Sequence, residues 1–129
     1  MTFNSTGAVS ISENATTDLT GTNTAASLAL TSETGSINDA TGTSLAVTGN
    51  ANFTANDGTN CAITLGNDVT DTTNFGSLTF NSTGAVSISE NSTCDLSASD
   101  AADSRSLAGV AGSRNNATAT SLTVTGNAN

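Results

Sequence analysis

Histidine, lysine, tryptophan, tyrosine and proline are all absent from this chain, and it holds only two cysteines and two cations, both Arg. Each gap closes off a class of function. Without His or Lys there is no imidazole general base and no amine nucleophile, and without Trp or Tyr there is no broad platform for a sugar ring. Eleven carboxylates against the two Arg give a formal charge of −9. That excludes nucleic-acid binding through Lys/Arg–phosphate contacts and disfavours an anionic membrane surface. No apolar run approaches the roughly 18 residues of a membrane helix, so membrane insertion is not expected. No cationic start followed by an apolar stretch opens the chain either, so a secretion leader has been removed or this is part of a longer chain.

What remains is unusual. Of 129 residues, 25 are Thr, 18 Ser and 16 Asn. Such polarity borders on disorder, where too little apolar area is buried to offset ordering entropy. The pattern argues for order instead: Val, Ile, Leu and Phe fall in short alternating runs, the mark of strands. Thr favours extended backbone, and Asn and Gly supply turns between the runs.

The chain repeats itself. Thr2–Leu19 (TFNSTGAVSISENATTDL) recurs as Thr79–Leu96 (TFNSTGAVSISENSTCDL), identical at 16 of 18 positions. Ala40–Asn52 recurs as Ala117–Asn129 at the same offset, identical at 11 of 13. Between them Thr20–Asp39 and Ser97–Asn116 have diverged, matching at 6 of 20 positions without insertion. The single domain, 1–129, is thus one copy, 1–77, and a partial second, 78–129. Inside the unit, Ser-Leu-x-apolar recurs at Ser27, Ser44, Ser77 and Ser121, and Phe3, Ala29, Phe53 and Phe80 stand 26, 24 and 27 apart. Three coils per full copy, about five coils in all, make an all-β, right-handed parallel β-helix (β-solenoid) the expected fold. Each coil would bury its inward side chains only by stacking on the next.

The expected core is Phe3, Val9, Ile11, Leu28, Leu30, Ile37, Leu45, Val47, Phe53, Ile63, Leu65, Val69, Phe75, Leu78, Phe80, Val86, Ile88, Leu122 and Val124. The divergent stretch sets Arg105 where the first copy has Leu28, and Arg114 where it has Ile37. A buried unpaired charge costs several kcal/mol. A local outward loop is therefore expected there, the alternatives being a shifted register or a contact with an acidic neighbour. Neither chain end reads as a cap, so the segment is either an excerpt of a long array or a unit that stacks end to end.

The strings SLTFNSTGAVSISENSTCDL, TSLAVTGNANFTA and AITLGNDVTDTTNFG resemble the β-strand repeats of very large bacterial surface and secreted proteins, of the filamentous-haemagglutinin-like and autotransporter-adhesin kinds. The resemblance implies a parallel β-helix on the cell exterior that serves adhesion, surface layers or fibres. It carries over no catalytic motif.

Each candidate site has a plainer reading beside it. Asp57, Asp68, Asp71 and Asp95 are the carboxylates a polysaccharide-cleaving β-helix would use, but glycosidase chemistry needs a carboxyl pair at defined separation together with substrate-gripping groups. They read better as turn formers at coil corners. Asn67, Asp68 and Asp71 fall short of the six to eight oxygens calcium takes. The triplets at Asn4, Asn14, Asn52, Asn81, Asn91 and Asn116 are glycosylation acceptors wherever the host modifies them, and chance also explains them. Thr-x-Thr pairs at Thr22, Thr41, Thr70, Thr118 and Thr123 are too unevenly spaced for an ice-binding rank. Cys61 and Cys94 are separated by more than one coil and should not stack, so two unpaired thiols are expected.

The expectation is a non-enzymatic extracellular rod without cofactor or metal, partnered chiefly by itself. A cell-surface or glycan ligand, as in an adhesin module, and a carbohydrate-active β-helix are the alternatives.

Overall fold

The computed structural model describes residues 1–56, 59–97, 100–109, 114–116 and 122–124, and every regular element in them is a strand. All pairings are parallel. The chain is a β-solenoid, as the alternating runs require: no short strand pairs with its sequence neighbour, and each lies on the strand one turn earlier.

Three faces build the rod. On the first, Asn4 bridges to β3 (Thr22–Ala25), which lies under residues 44–47 of β6 (Ser44–Ala55) and then 72–75 of β8 (Thr72–Ser82). The second stacks β1 (Ala8–Glu13), β4 (Ser27–Ser32) and the later halves of β6 and β8. The third holds β2 (Thr17–Leu19), β5 (Ile37–Asp39), β7 (Ile63–Leu65), β9 (Ala85–Glu90) and β12 (Ser104–Gly109). That face is five strands deep, so the chain climbs about four turns across it, fewer than the five coils expected.

Turn length is not uniform. Ala8 pairs with Ser27, Leu28 with Ala51, Ala51 with Leu78 and Leu78 with Leu96, so successive turns advance the numbering by 19, 23, 27 and 18. The sequence unit is therefore not three whole turns. Its first copy of AVSISE is β1 on the second face, and its second copy is β9 on the third. One unit makes three turns and one further face.

Within each copy the register is nonetheless the same. Ala8↔Ser27 becomes Ala85↔Ser104, Thr17↔Ile37 becomes Cys94↔Arg114, and Asn23↔Leu45 becomes Asp100↔Leu122. The last two use β10 (Cys94–Leu96) with β13 (Arg114–Asn116) and β11 (Asp100–Ala102) with β14 (Leu122–Val124).

The core is built of columns. Ile11, Leu30, Phe53 and Phe80 lie in line on the second face, and Ile37, Ile63 and Val86 on the third. Each fully buried side chain of this size contributes about 1.5–3 kcal/mol. Phe75 reaches across from the first face to Phe53, ring centroids 5.6 Å apart at 59°. Where the first and second faces meet, the chain bends at Gly49 and Gly76: a Cβ on Gly76 would lie 2.3 Å from the Thr48 carbonyl oxygen, and one on Gly49 2.7 Å from that of Ala26.

Three expectations need correction. Val69 is fully exposed, because it sits in the projecting segment between β7 and β8 that lengthens that turn, and no strand carries it inward. Phe3, Val9 and Ile11 are only half-buried, since they form the lower edge of the first turn. Most of the divergent stretch is no loop: β12 keeps the register of β4, with Arg105 over Val86 as Leu28 lies over Val9. Arg105 is half-buried there, and its Nε is buried without an acceptor. The side chains of Arg114, Leu122 and Val124 lie outside the described residues.

Candidate functional site

A parallel stack leaves N–H groups unpaired wherever the strand above is short, and a buried unpaired N–H costs about 1–3 kcal/mol. The carboxylates and amides of this chain are spent on that problem. Asp71, 5% exposed, accepts from Gly42 N at 2.8 Å and Thr43 N at 3.0 Å through Oδ1, and from Asp68 N at 2.9 Å through Oδ2. It ties one turn to the next and closes its own loop. Asp68 is held below the usual carboxylate range by the Thr70 hydroxyl and then the Thr70 N–H, both bonded to its Oδ1. Asp39 caps Gly66 N at 2.8 Å, and its carboxyl is pushed up, first by burial and further by the Asp71 charge, against that bond.

The two copies cap alike. Phe3 N donates to Asn23 Oδ1 at 3.0 Å, and one repeat later Phe80 N donates to Asp100 Oδ1 at 2.8 Å. Phe3 and Phe80 thus share their local surroundings. Asp100 is 2% exposed, and burial pushes its carboxyl up to about 6 against the Phe80 N–H bond and the Arg105 charge. Asp100 and Arg105 replace Asn23 and Leu28 together.

The densest cap follows β9. The short turn from Thr73 to Asn91 leaves two upward N–H groups of β8, and the Ser89-Glu90-Asn91 run takes both. Phe75 N donates to Glu90 Oε1 at 2.7 Å, Thr73 N to Asn91 Oδ1 at 2.8 Å, and Asn91 N returns to Thr73 O at 2.8 Å. The Thr73 hydroxyl donates to Ser89 O, and the Ser92 hydroxyl donates to Glu90 Oε1 at 2.9 Å. Glu90 is 1% exposed and Thr73 0%. Sequence reasoning missed this clasp, because a carboxylate that ends the series Val86, Ile88, Glu90 reads as the strand's exit to solvent. Its neighbour relation to Thr73 follows only from the short turn.

Beside it lies an open hollow of about 350 Å³ lined by Gly66, Asn67, Asp68, Val69, Asp71, Ser89 and Asn91. Two of the candidate carboxylates, Asp68 and Asp71, meet there, joined by the Asp68 N–H bond rather than facing across a gap. Asp95 is half-exposed in β10, away from this hollow, and Asp57 lies outside the described residues. No group of three or more His, Cys, Asp or Glu that could hold a metal occurs among the described residues. Cys61 is buried with a free thiol, and the Cys94 side chain lies outside the described residues. Thr22 stacks on Ser44 and Thr72, and Thr24 on Ala46 and Asn74, so no unbroken Thr rank forms there. Among the described residues no helix is long and apolar enough to cross a membrane.

What these features define is a parallel β-solenoid whose polar residues serve its own ladder. Compared with known protein families, characterised proteins and solved structures, the chain matches none.

Proposed function

We propose that the protein is a non-enzymatic extracellular structural rod, a β-solenoid that assembles end to end into a fibre or forms a stretch of a giant surface adhesin. One observation carries this reading: the two copies keep the same inter-turn register residue for residue, so the unit is built to continue itself along one axis. The polar residues support it, because Asp71, Asp100, Glu90 and Asn91 are committed to backbone N–H groups. An acidic, Lys-free exterior keeps rods from bundling until salt screens it. A partner at the cell surface, glycan or protein, belongs to the adhesin form of this reading.

Electron microscopy of the purified chain at rising ionic strength tests it. Fibres carrying the roughly 4.8 Å strand spacing along their axis are expected. Compact monomers at every concentration would refute it.

A further inference from the structure

The lower edge of the first turn is set apart by its echo, because the second copy shows what its sequence is made to sit on. Leu78, Phe80, Val86 and Ile88 lie in register on Ala51, Phe53, Ile63 and Leu65. Glu90 and Asn91 then clasp Thr73 and Phe75. One repeat earlier these residues are Met1, Phe3, Val9, Ile11, Glu13 and Asn14. There the four apolar side chains are half-buried, and Glu13 and Asn14 are exposed. The same sequence is closed in one copy and open in the other, and what differs is the turn beneath it.

We infer that the Met1–Asn14 edge is a docking surface for a second copy of the turn spanning Asn50–Phe75, carried by another chain of this kind. The inference rests on the end-to-end reading above and names the joint. Phe3 would lie over Phe53, Val9 over Ile63 and Ile11 over Leu65, while Glu13 and Asn14 receive the N–H groups of Phe75 and Thr73. Two kinds of recognition act together: apolar columns give area, and the Glu-Asn clasp selects a strand whose upward N–H groups lack a strand above them. Because each unit advances three turns and one face, the docked copy is rotated by about a third of a turn. Head-to-tail contacts of that kind do not close and so propagate.

In this chain the Asn50–Phe75 turn is covered by its own residues 78–91, so the joint needs that turn presented bare. The test is to append a further Phe53–Ser77 segment after Asn129 and compare self-association by analytical ultracentrifugation, with circular dichroism confirming the fold. The extended chain should associate tighter than the original by on the order of ten-fold or more, and Glu13→Ala with Asn14→Ala should abolish that gain. Micrographs should show a rise of about 32 Å per extended chain, two units of three and a third strand spacings each. Equal association of extended and original chains overturns the docking assignment but leaves end-to-end assembly standing; association of neither overturns both.

Placing Phe53–Ser77 ahead of Met1 instead brings the same contact into one chain and keeps the question decidable if the first extension does not fold. Glu13→Ala should then raise the unfolding equilibrium constant on the order of ten-fold in the fused chain and leave that of the original chain unmoved. No difference between the two chains would overturn the assignment.

Discussion

Restoring the first copy's pair in the second, Asp100→Asn with Arg105→Leu, should stabilise the protein, and the size of the gain can be worked out. Asp100 is shifted from 3.8 to about 6 by burial, opposed by the Phe80 N–H and Arg105. An acid raised in the folded state is fully compatible with folding below about pH 4, where both states are protonated. As pH climbs from there through 6 the unfolded chain ionises first, and stability is lost. Two pH units at about 1.4 kcal/mol each set that loss at no more than about 3 kcal/mol by pH 7. Asn keeps the Phe80 acceptor, as Asn23 does for Phe3, and removes the titration. Arg105→Leu then supplies an apolar side chain in line with Val86 and removes an Nε buried without an acceptor, worth about 1–3 kcal/mol. Urea unfolding should show the Asp100→Asn chain gaining on the parent as pH rises from 4 to 7. At pH 7 the double variant should be about 3–5 kcal/mol more stable than the parent, with less than the sum of the two singles because each removes a charge the other attracts. A pH-independent difference between parent and Asp100→Asn, or a destabilised double variant, refutes the burial argument.

Three further substitutions probe the stack. Glu90→Ala orphans the Phe75 N–H and should cost about 1–3 kcal/mol, whereas Glu13→Ala, in the same local sequence but exposed, should stay within about 0.5 kcal/mol; chemical denaturation of both variants checks the contrast. Phe53→Ala removes the fully buried ring between Leu30 and Phe80 and should cost about 3–5 kcal/mol in the same assay. Gly76→Ala drives a Cβ against the Thr48 carbonyl, so the melting temperature should fall by several degrees, while Val69→Ser, fully exposed, should leave it unchanged.

The fold and much of its core were legible because alternation and the echo between the two copies both report stacking. Phe53, Phe80, Leu30 and Ile63 are buried where alternation puts them. Turn length was not legible. Phe3 lies on the first face whereas Ala29, Phe53 and Phe80 lie on the second, so counting Phe to Phe mixed faces and gave 26, 24 and 27 where the rod uses 19, 23, 27 and 18. Corners absorb residues without changing the strand pattern, and nothing in local sequence sets how many. Val69 was misplaced for that reason. The buried polar residues were hidden differently: Asn23, Asp71, Glu90 and Asp100 are inside because they cap N–H groups a turn away, a relation visible only once register is known. Arg105 shows the converse, since a charge at an inward position predicted a loop, yet its half-buried place beside Asp100 let the strand keep its register.

Disulfide trapping tests that register most directly. In a Cys61→Ala, Cys94→Thr background, Ser10→Cys with Ala29→Cys and Ser87→Cys with Ser106→Cys are the same exposed parallel pair in the two copies. Neighbouring strands bring such Cα atoms within the roughly 4–7 Å a disulfide spans. Both pairs should cross-link on mild oxidation, and Ser10→Cys with Ser87→Cys, on different faces, should not form an intramolecular bond. Failure of the Ser87–Ser106 pair, or cross-linking of Ser10 to Ser87 within one chain, would contradict a solenoid in which each copy keeps its register while turning by one face.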